Sequence, residues 1–134
     1  MNHKVANRLF HRNANQRKAL LRGLVISLFE HQRIETTIGR AKAIKGMAEK
    51  LVTIGRRDDL HSRRVVMSHI DNRMVMAKLF KEIAPRFLDR NGGYLRIIHT
   101  GRRIKDQAPL VIIEFVDYDE VKKAKAPVVE EKKA

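Results

Sequence analysis

No hydrophobic period runs through residues 1–13, so this stretch reads as an extended arm. Regularity begins after it. Leu20, Leu21, Leu24, Val25, Leu28 and Phe29 recur at spacings of three and four, which places them on one helical face. Asn13 or Asn15 stands where a side-chain oxygen can accept from the first free amides of that helix. From Arg33 to Ile38 the spacing becomes two, with Ile34, Thr36 and Ile38 on one side, which predicts a short strand. Thr37 can cap a second helix whose stripe is Ala41, Ile44, Ala48, Leu51, Val52 and Gly55. Asp58 or Asp59 starts a third, with Leu60, Val66, Met67 and Ile70 as its apolar positions. Asp71 caps a fourth that carries Val75, Met76, Leu79, Phe80 and Ile83. A stop is expected at Ala84-Pro85, because proline disfavours helical geometry in its predecessor. Asn91-Gly92-Gly93 is a turn signal. Tyr94 to Thr100 and Leu110 to Val116 then read as two strands joined by a basic loop. Val111, Ile113 and Phe115 alternate with Leu110 and Ile112, which predicts a central strand covered on both faces.

The order helix, strand, three helices, two strands gives an α+β fold, a two-layer domain with a small mixed sheet packed on helices. A chain of 134 residues has room for one such domain, here residues 14–116. Residues 117–134 have low complexity, balanced charge and few apolar anchors, and are expected to form a disordered tail.

Charge changes the picture most at the other end. From Met1 to Phe29 there is no acidic side chain, while His3, Lys4, Arg8, His11, Arg12, Arg17, Lys18 and Arg22 all lie there. Like charges about 6 Å apart cost on the order of 1 kcal/mol or less in water. A polyanion among them turns that repulsion into affinity by releasing its own counterions. Arg17 and Lys18 also sit near a helix N-terminus, where the macrodipole disfavours cations. The pairs Arg56-Arg57 and Arg63-Arg64 bracket the link between the second and third helices, and Arg102, Arg103 and Lys105 occupy the strand-connecting loop. Lys122, Lys123, Lys125, Lys132 and Lys133 are cancelled by Asp117, Asp119, Glu120, Glu130 and Glu131, so the whole net charge of +14 resides before the tail. These features point to a nucleic-acid binder that contacts phosphates from several directions.

Catalysis finds little support. There is no cysteine, so thiolate zinc sites and thiol nucleophiles are excluded, and no histidine stands in an H-E-x-x-H pattern. Asp58 and Asp59 fit helix capping better than acid–base work. Gly92-Gly93 lacks the Lys-Ser/Thr of a P-loop; it serves a turn or lets the backbone approach a phosphate. The expectation is a non-enzyme without cofactor, metal or small-molecule substrate. The apolar stretch Gly23–Phe29 is far too short to span a bilayer and lacks a cleavage site, so a soluble intracellular protein is expected. Phe10, in the polar arm, either wedges into a partner or folds back on the domain. One rival is a DNA-binding protein using the third and fourth helices as a helix-turn-helix. Its reading helix would expose Lys78, Lys81 and Glu82, without the Asn, Gln or paired Arg suited to base edges. An RNA-processing enzyme is a second rival, without an acid–base set to support it.

Ordered motifs across the chain carry a family resemblance. Arg8-x-x-x-Arg12-Asn13-x-x-x-Arg17-x-Ala19 opens it, followed by Ile34-x-Thr36-Thr37-x-x-Arg40-Ala41-Lys42 and Glu49-x-Leu51-Val52-Thr53-x-Gly55-Arg56. Lys78-Leu79-Phe80, Pro85-Arg86-Phe87, Arg90-x-Gly92-Gly93-Tyr94-x-Arg96-Ile97 and Ala108-Pro109 continue it. From Met1 to about Val116 the chain resembles the bacterial large-subunit ribosomal L-seventeen family. The resemblance implies a structural constituent of the large ribosomal subunit that binds its ribosomal RNA near the nascent-chain exit region, beside neighbouring ribosomal proteins. It adds Asn13, Arg40, Lys42, Arg90, Gly92, Gly93, Tyr94 and Arg96 to the basic clusters as expected RNA contacts.

Overall fold

The structure, a computed structural model, describes residues 8–125, with side chains described to residue 122. Asn13 closes the arm. Its side-chain oxygen accepts from the Gln16 amide at 2.9 Å, and the Gln16 side chain accepts in return from the Asn13 N–H at 3.3 Å. This reciprocal pair satisfies donors that the first helical turn leaves free and starts α1 (Ala14–His31). Gln32 ends it with a left-handed φ of 62° and leads into β1 (Arg33–Thr37). The next residue, Ile38, opens α2 (Ile38–Gly55) instead of closing the strand, and Thr37 holds the cap position without a side-chain capping bond. Asp59 caps α3 (Leu60–His69) through the Ser62 amide. Asn72, not the expected Asp71, caps α4 (Arg73–Lys78), because its carboxamide oxygen accepts from the amides of both Met74 and Val75.

The helix ends at Arg86, one residue beyond the expected stop at Ala84-Pro85. After Lys78 the helix widens into a π turn over Leu79–Ile83, in which the Ala84 amide reaches the Leu79 carbonyl, and runs on as α5 (Ala84–Arg86). A proline supplies no N–H and its ring collides with the carbonyl four residues back. The wider turn just before Pro85 eases that collision, so one further helical residue, Arg86, follows the proline before the helix ends.

Gly92 and Gly93, with φ of 98° and 63°, make the expected turn into β2 (Leu95–Arg102). A six-residue loop then leads to β3 (Pro109–Phe115). The strand order is β1-β3-β2, antiparallel throughout, with a bulge between His99 and Gly101. The predicted mixed sheet is therefore corrected: β1 and β2 run in the same direction, but β3 lies between them and they share no hydrogen bonds.

Strand β3 is central, as its pattern predicted, but only one of its faces is fully covered. Val111, Ile113 and Phe115 are buried against the helices, whereas Leu110 and Ile112 remain half-exposed on the other side. On the helical side Phe29 and Phe87 stack on Phe115, with ring centroids 6.1 and 5.7 Å apart, amid Leu28, Ile44, Leu51, Leu79 and Ile83. Each such fully buried side chain contributes roughly 1.5–3 kcal/mol. Leu60, expected on the apolar face of α3, is exposed.

The chain beyond β3 also departs from expectation. The segment read as a disordered tail begins with a helix, α6 (Tyr118–Lys125). Its start lies against the open sheet face, where Glu114, 1 % exposed, is flanked across the strands by Arg33 and Arg96. Both guanidinium groups pair with its carboxylate, at 3.3 and 2.6 Å. Asp119 takes a second N–H of Arg96 at 2.8 Å, and the Tyr118 ring lies 5.4 Å from the Arg33 guanidinium carbon. Asp117 pairs with Arg86 at 3.1 Å. Acids that look merely compensating in sequence are thus partners of arginines far away in the chain. The remainder of the predicted tail, 126–134, lies outside the described residues.

Candidate nucleic-acid interface

Helices α1 and α2 pack side by side, and their early turns form two walls of an open cleft of about 540 Å³. Ala14, Arg17, Lys18 and Leu21 line it from α1, at the three-and-four spacing that brings side chains to one face. Lys42, Ala43, Gly46 and Met47 line it from α2 by the same rule. Arg8 and Phe10 of the arm complete the lining. Phe10, Leu21 and Met47 supply its larger apolar lining, alongside the four cations.

The arm reaches this place by a sharp turn. Phe10 and His11 both have φ of 52°, the Arg12 amide donates to the Leu9 carbonyl at 3.1 Å, and Arg12 Nη1 donates to the Phe10 carbonyl at 3.0 Å. Left-handed backbone costs a non-glycine residue roughly 1–2 kcal/mol, so the turn is held at some expense. The described part of the predicted extended arm, residues 8–13, therefore folds back on the domain. Phe10 is half-buried there, which decides between its two expected fates. Arg8 lies over the start of α2, its Nη1 2.7 Å from where a Cβ on Gly39 would stand, so a glycine is what lets the guanidinium in.

Electrostatically the cleft is unopposed. Arg8, Arg17, Lys18 and Lys42 have no ion-pair partner among the described residues. The first turns of α1 and α2 hold no acidic residue, and α2 has no side-chain cap. Helix N-termini carry partial positive charge, so the backbone adds to the side-chain field.

The sequence pattern of the family described as Ribosomal protein L17 matches residues 20–116, well over half of the chain. The chain belongs to the ribosomal protein L17 family. It is 59 % identical over its full length to the large ribosomal subunit protein bL17 of Thermodesulfovibrio yellowstonii, and covers 99 % of that protein. The bL17 of Moorella thermoacetica is 52 % identical over 84 % of this chain and all of its own length. That of Desulfotalea psychrophila is 49 % identical over 90 % of this chain and 93 % of its own length. All three relatives carry the name of a ribosomal protein and not of an enzyme.

Within this L17 family member the other expected contact residues divide into free cations and committed ones. Arg40, Arg57, Arg64, Arg90, Arg102 and Lys105 have no acidic partner among the described residues. Arg56, by contrast, turns inward. It donates to the carbonyls of Leu88 and Arg90 at 2.6 and 3.0 Å, to the Tyr94 hydroxyl at 3.0 Å and to Asn91 Oδ1 at 3.5 Å. It thereby clamps the loop before the glycine turn. Tyr94 is only 1 % exposed, so its ring has no face to offer a base. Burial raises its phenol pKa, but the bonds with Thr53 and Arg56 outweigh that and leave it lowered.

Three other arginines are neutralised internally. Arg63 binds Asp58 at 2.7 Å and lies 5.4 Å from the Phe80 ring centre, Arg96 binds Glu114 and Asp119, and Arg103 holds Asp106 through two bonds of 2.8 and 2.5 Å. The Arg103 bonds, followed by the Ala108 amide, lower the Asp106 pKa to about 2. Arg22 donates to the Ser68 carbonyl at 2.7 Å, tying α1 to the end of α3, and Asn13 is occupied as a cap. His11 and Arg12 are exposed in the arm turn, whereas His3 and Lys4 lie outside the described residues.

Eight of the free cations fall in three groups, with Arg12, Arg40 and Arg90 outside them. Arg8, Arg17, Lys18 and Lys42 share the cleft; Arg57 and Arg64 flank the α2–α3 link; Arg102 and Lys105 stand on the β2–β3 loop. No helix among the described residues is long and apolar enough to cross a membrane, and no metal-binding cluster occurs among them.

Proposed function

We propose that this protein is a structural constituent of the large subunit of the bacterial ribosome and binds large-subunit ribosomal RNA through the α1–α2 cleft. The observation that carries the reading is the cleft itself, where four cations from three segments gather without a carboxylate, in a chain of the L17 family. Phosphates supply the missing negative charge, and their displaced counterions supply affinity. Arg57, Arg64, Arg102 and Lys105 approach further phosphates from other sides. Since the described site carries no exposed aromatic platform apart from Phe10, recognition rests mainly on backbone shape and charge. The curated names of the relatives place them in the large subunit, and the L-seventeen resemblance favours a position near the nascent-chain exit region beside other ribosomal proteins. Its location is then the ribosome of the bacterial cytoplasm.

The helix-turn-helix alternative loses ground. Lys78 of the supposed reading helix is tied to the Glu30 carbonyl at 2.6 Å, and regular α4 is only six residues long before the π turn. Co-sedimentation tests the main reading: tagged protein should remain with intact large subunits after a high-salt wash. Quantitative release into the free fraction, or association with small subunits alone, would overturn it.

A further inference from the structure

We propose that the α1–α2 cleft receives a single unpaired nucleotide of its RNA, the base resting on Phe10 and the other apolar lining and the flanking phosphates on the cations beside it. This deepens the RNA-binding reading and rests on it. A surface that only followed a paired backbone would need the cations alone. Here they share the lining of a cleft of about 540 Å³ with Phe10, Leu21 and Met47. That division matches a nucleotide, which joins a flat apolar face to a charged phosphate.

Two further observations bear on the cleft. The α2 side of the lining includes Gly46, an exposed position where an added Cβ would meet nothing within 4 Å, so a larger side chain has room there. Phe10 is held at a left-handed φ of 52° by the Arg12 bond to its carbonyl. Strained backbone of this kind concentrates where a ligand must be met in a fixed geometry. The lining contains no Asn, Gln, Asp or Glu to read a base edge. Stacking itself is indifferent to base identity, so the cleft selects an unstacked base with at most the bias to guanine that its arginines and lysines bring. Paired A-form RNA hides its bases from side chains, and extruded ones are what proteins can reach.

The test compares the full chain binding to two RNA hairpins of equal length and charge, closed by the same compact tetraloop, whose stem is fully paired in one and carries a single unpaired purine in the other, at matched salt. The bulged hairpin should bind at least about five-fold tighter, the lower end of what one stacked base contributes. Gly46→Leu, which fills the cleft from a helical position with room for it, should bring that ratio close to one, as should Phe10→Ala. Lys42→Gln should weaken binding to both hairpins and keep the ratio. Circular dichroism and melting confirm that each variant is folded. Equal affinity of the two hairpins for the unaltered protein, or a ratio that survives Gly46→Leu, would overturn the proposal and leave RNA binding intact. Failure to bind either hairpin would overturn both readings together.

Discussion

Arg56 and Arg57 are adjacent and chemically identical, yet they should respond oppositely to truncation. The Arg56 guanidinium donates at 3.0 Å or less to three acceptors, the Leu88 and Arg90 carbonyls and the Tyr94 hydroxyl. The two carbonyls lie near solvent and can be rehydrated, so each lost bond costs about 1 kcal/mol and not the full value for a charged donor. The Tyr94 hydroxyl belongs to a buried residue and would keep Thr53, at 3.3 Å, and the Gly92 backbone but lose its charged partner, which adds about 1 kcal/mol more. Arg56→Ala should therefore destabilise the fold by about 2–3 kcal/mol, with a fall in melting temperature on the order of 10 °C. Arg56→Lys should recover less than half of that, because an ammonium group cannot span the fork. Arg57→Ala should stay within about 0.5 kcal/mol, as an exposed side chain without partners does. Urea unfolding of the three variants at fixed salt reads these differences. A cost below about 0.5 kcal/mol for Arg56→Ala would show that water replaces the clamp and refute the inward role.

Three other expectations follow from the same geometry. Glu114→Gln leaves Arg33 and Arg96 without their shared buried carboxylate; because both guanidiniums reach solvent, the cost should be about 2 kcal/mol in urea unfolding, below the full value for a broken buried pair. The folded pKa of Asp106 lies below its usual value of 3.8, so its contribution to stability is complete above that value and is lost as the pH falls towards about 2. An NMR titration should find its midpoint near 2, and Arg103→Gln should move that midpoint upward. Gly93→Ala forces a side chain onto a φ of 63° and should cost about 1–2 kcal/mol by thermal melting, although the space around it is open.

What could be read directly from the residues was local. The run from Leu20 to Phe29 shows its buried face by period alone, and Asn13, Asp59 and the two glycines act within a few residues of themselves. The misreadings involve partners distant in sequence. Asp117 and Asp119 looked like part of a solvated tail because Arg86 and Arg96, which they bind, precede them by more than twenty residues. Nothing local distinguishes Arg56 from Arg57, since the direction of each is set by where Leu88 to Tyr94 pass. Pro85 ends the helix one residue late: Ala84 keeps helical φ and ψ of −60° and −39° before it, and only Arg86 follows as helix. The basic clusters were correctly recognised as unusual, but which cations remain free was decided by Asp58, Asp106, Glu114 and Asp119 only once the chain had folded.

Salt dependence gives the most direct test of a phosphate-binding cleft. Binding of the full chain to large-subunit ribosomal RNA would be measured across a series of salt concentrations, beside a variant carrying Arg17→Gln, Lys18→Gln and Lys42→Gln. Each phosphate contact contributes about 0.7–0.9 to the slope of log affinity against log salt. Loss of three contacts should flatten that slope by about two units or slightly more while melting behaviour is preserved. An unchanged slope with unchanged affinity would mean that these cations face water and that the RNA is held elsewhere.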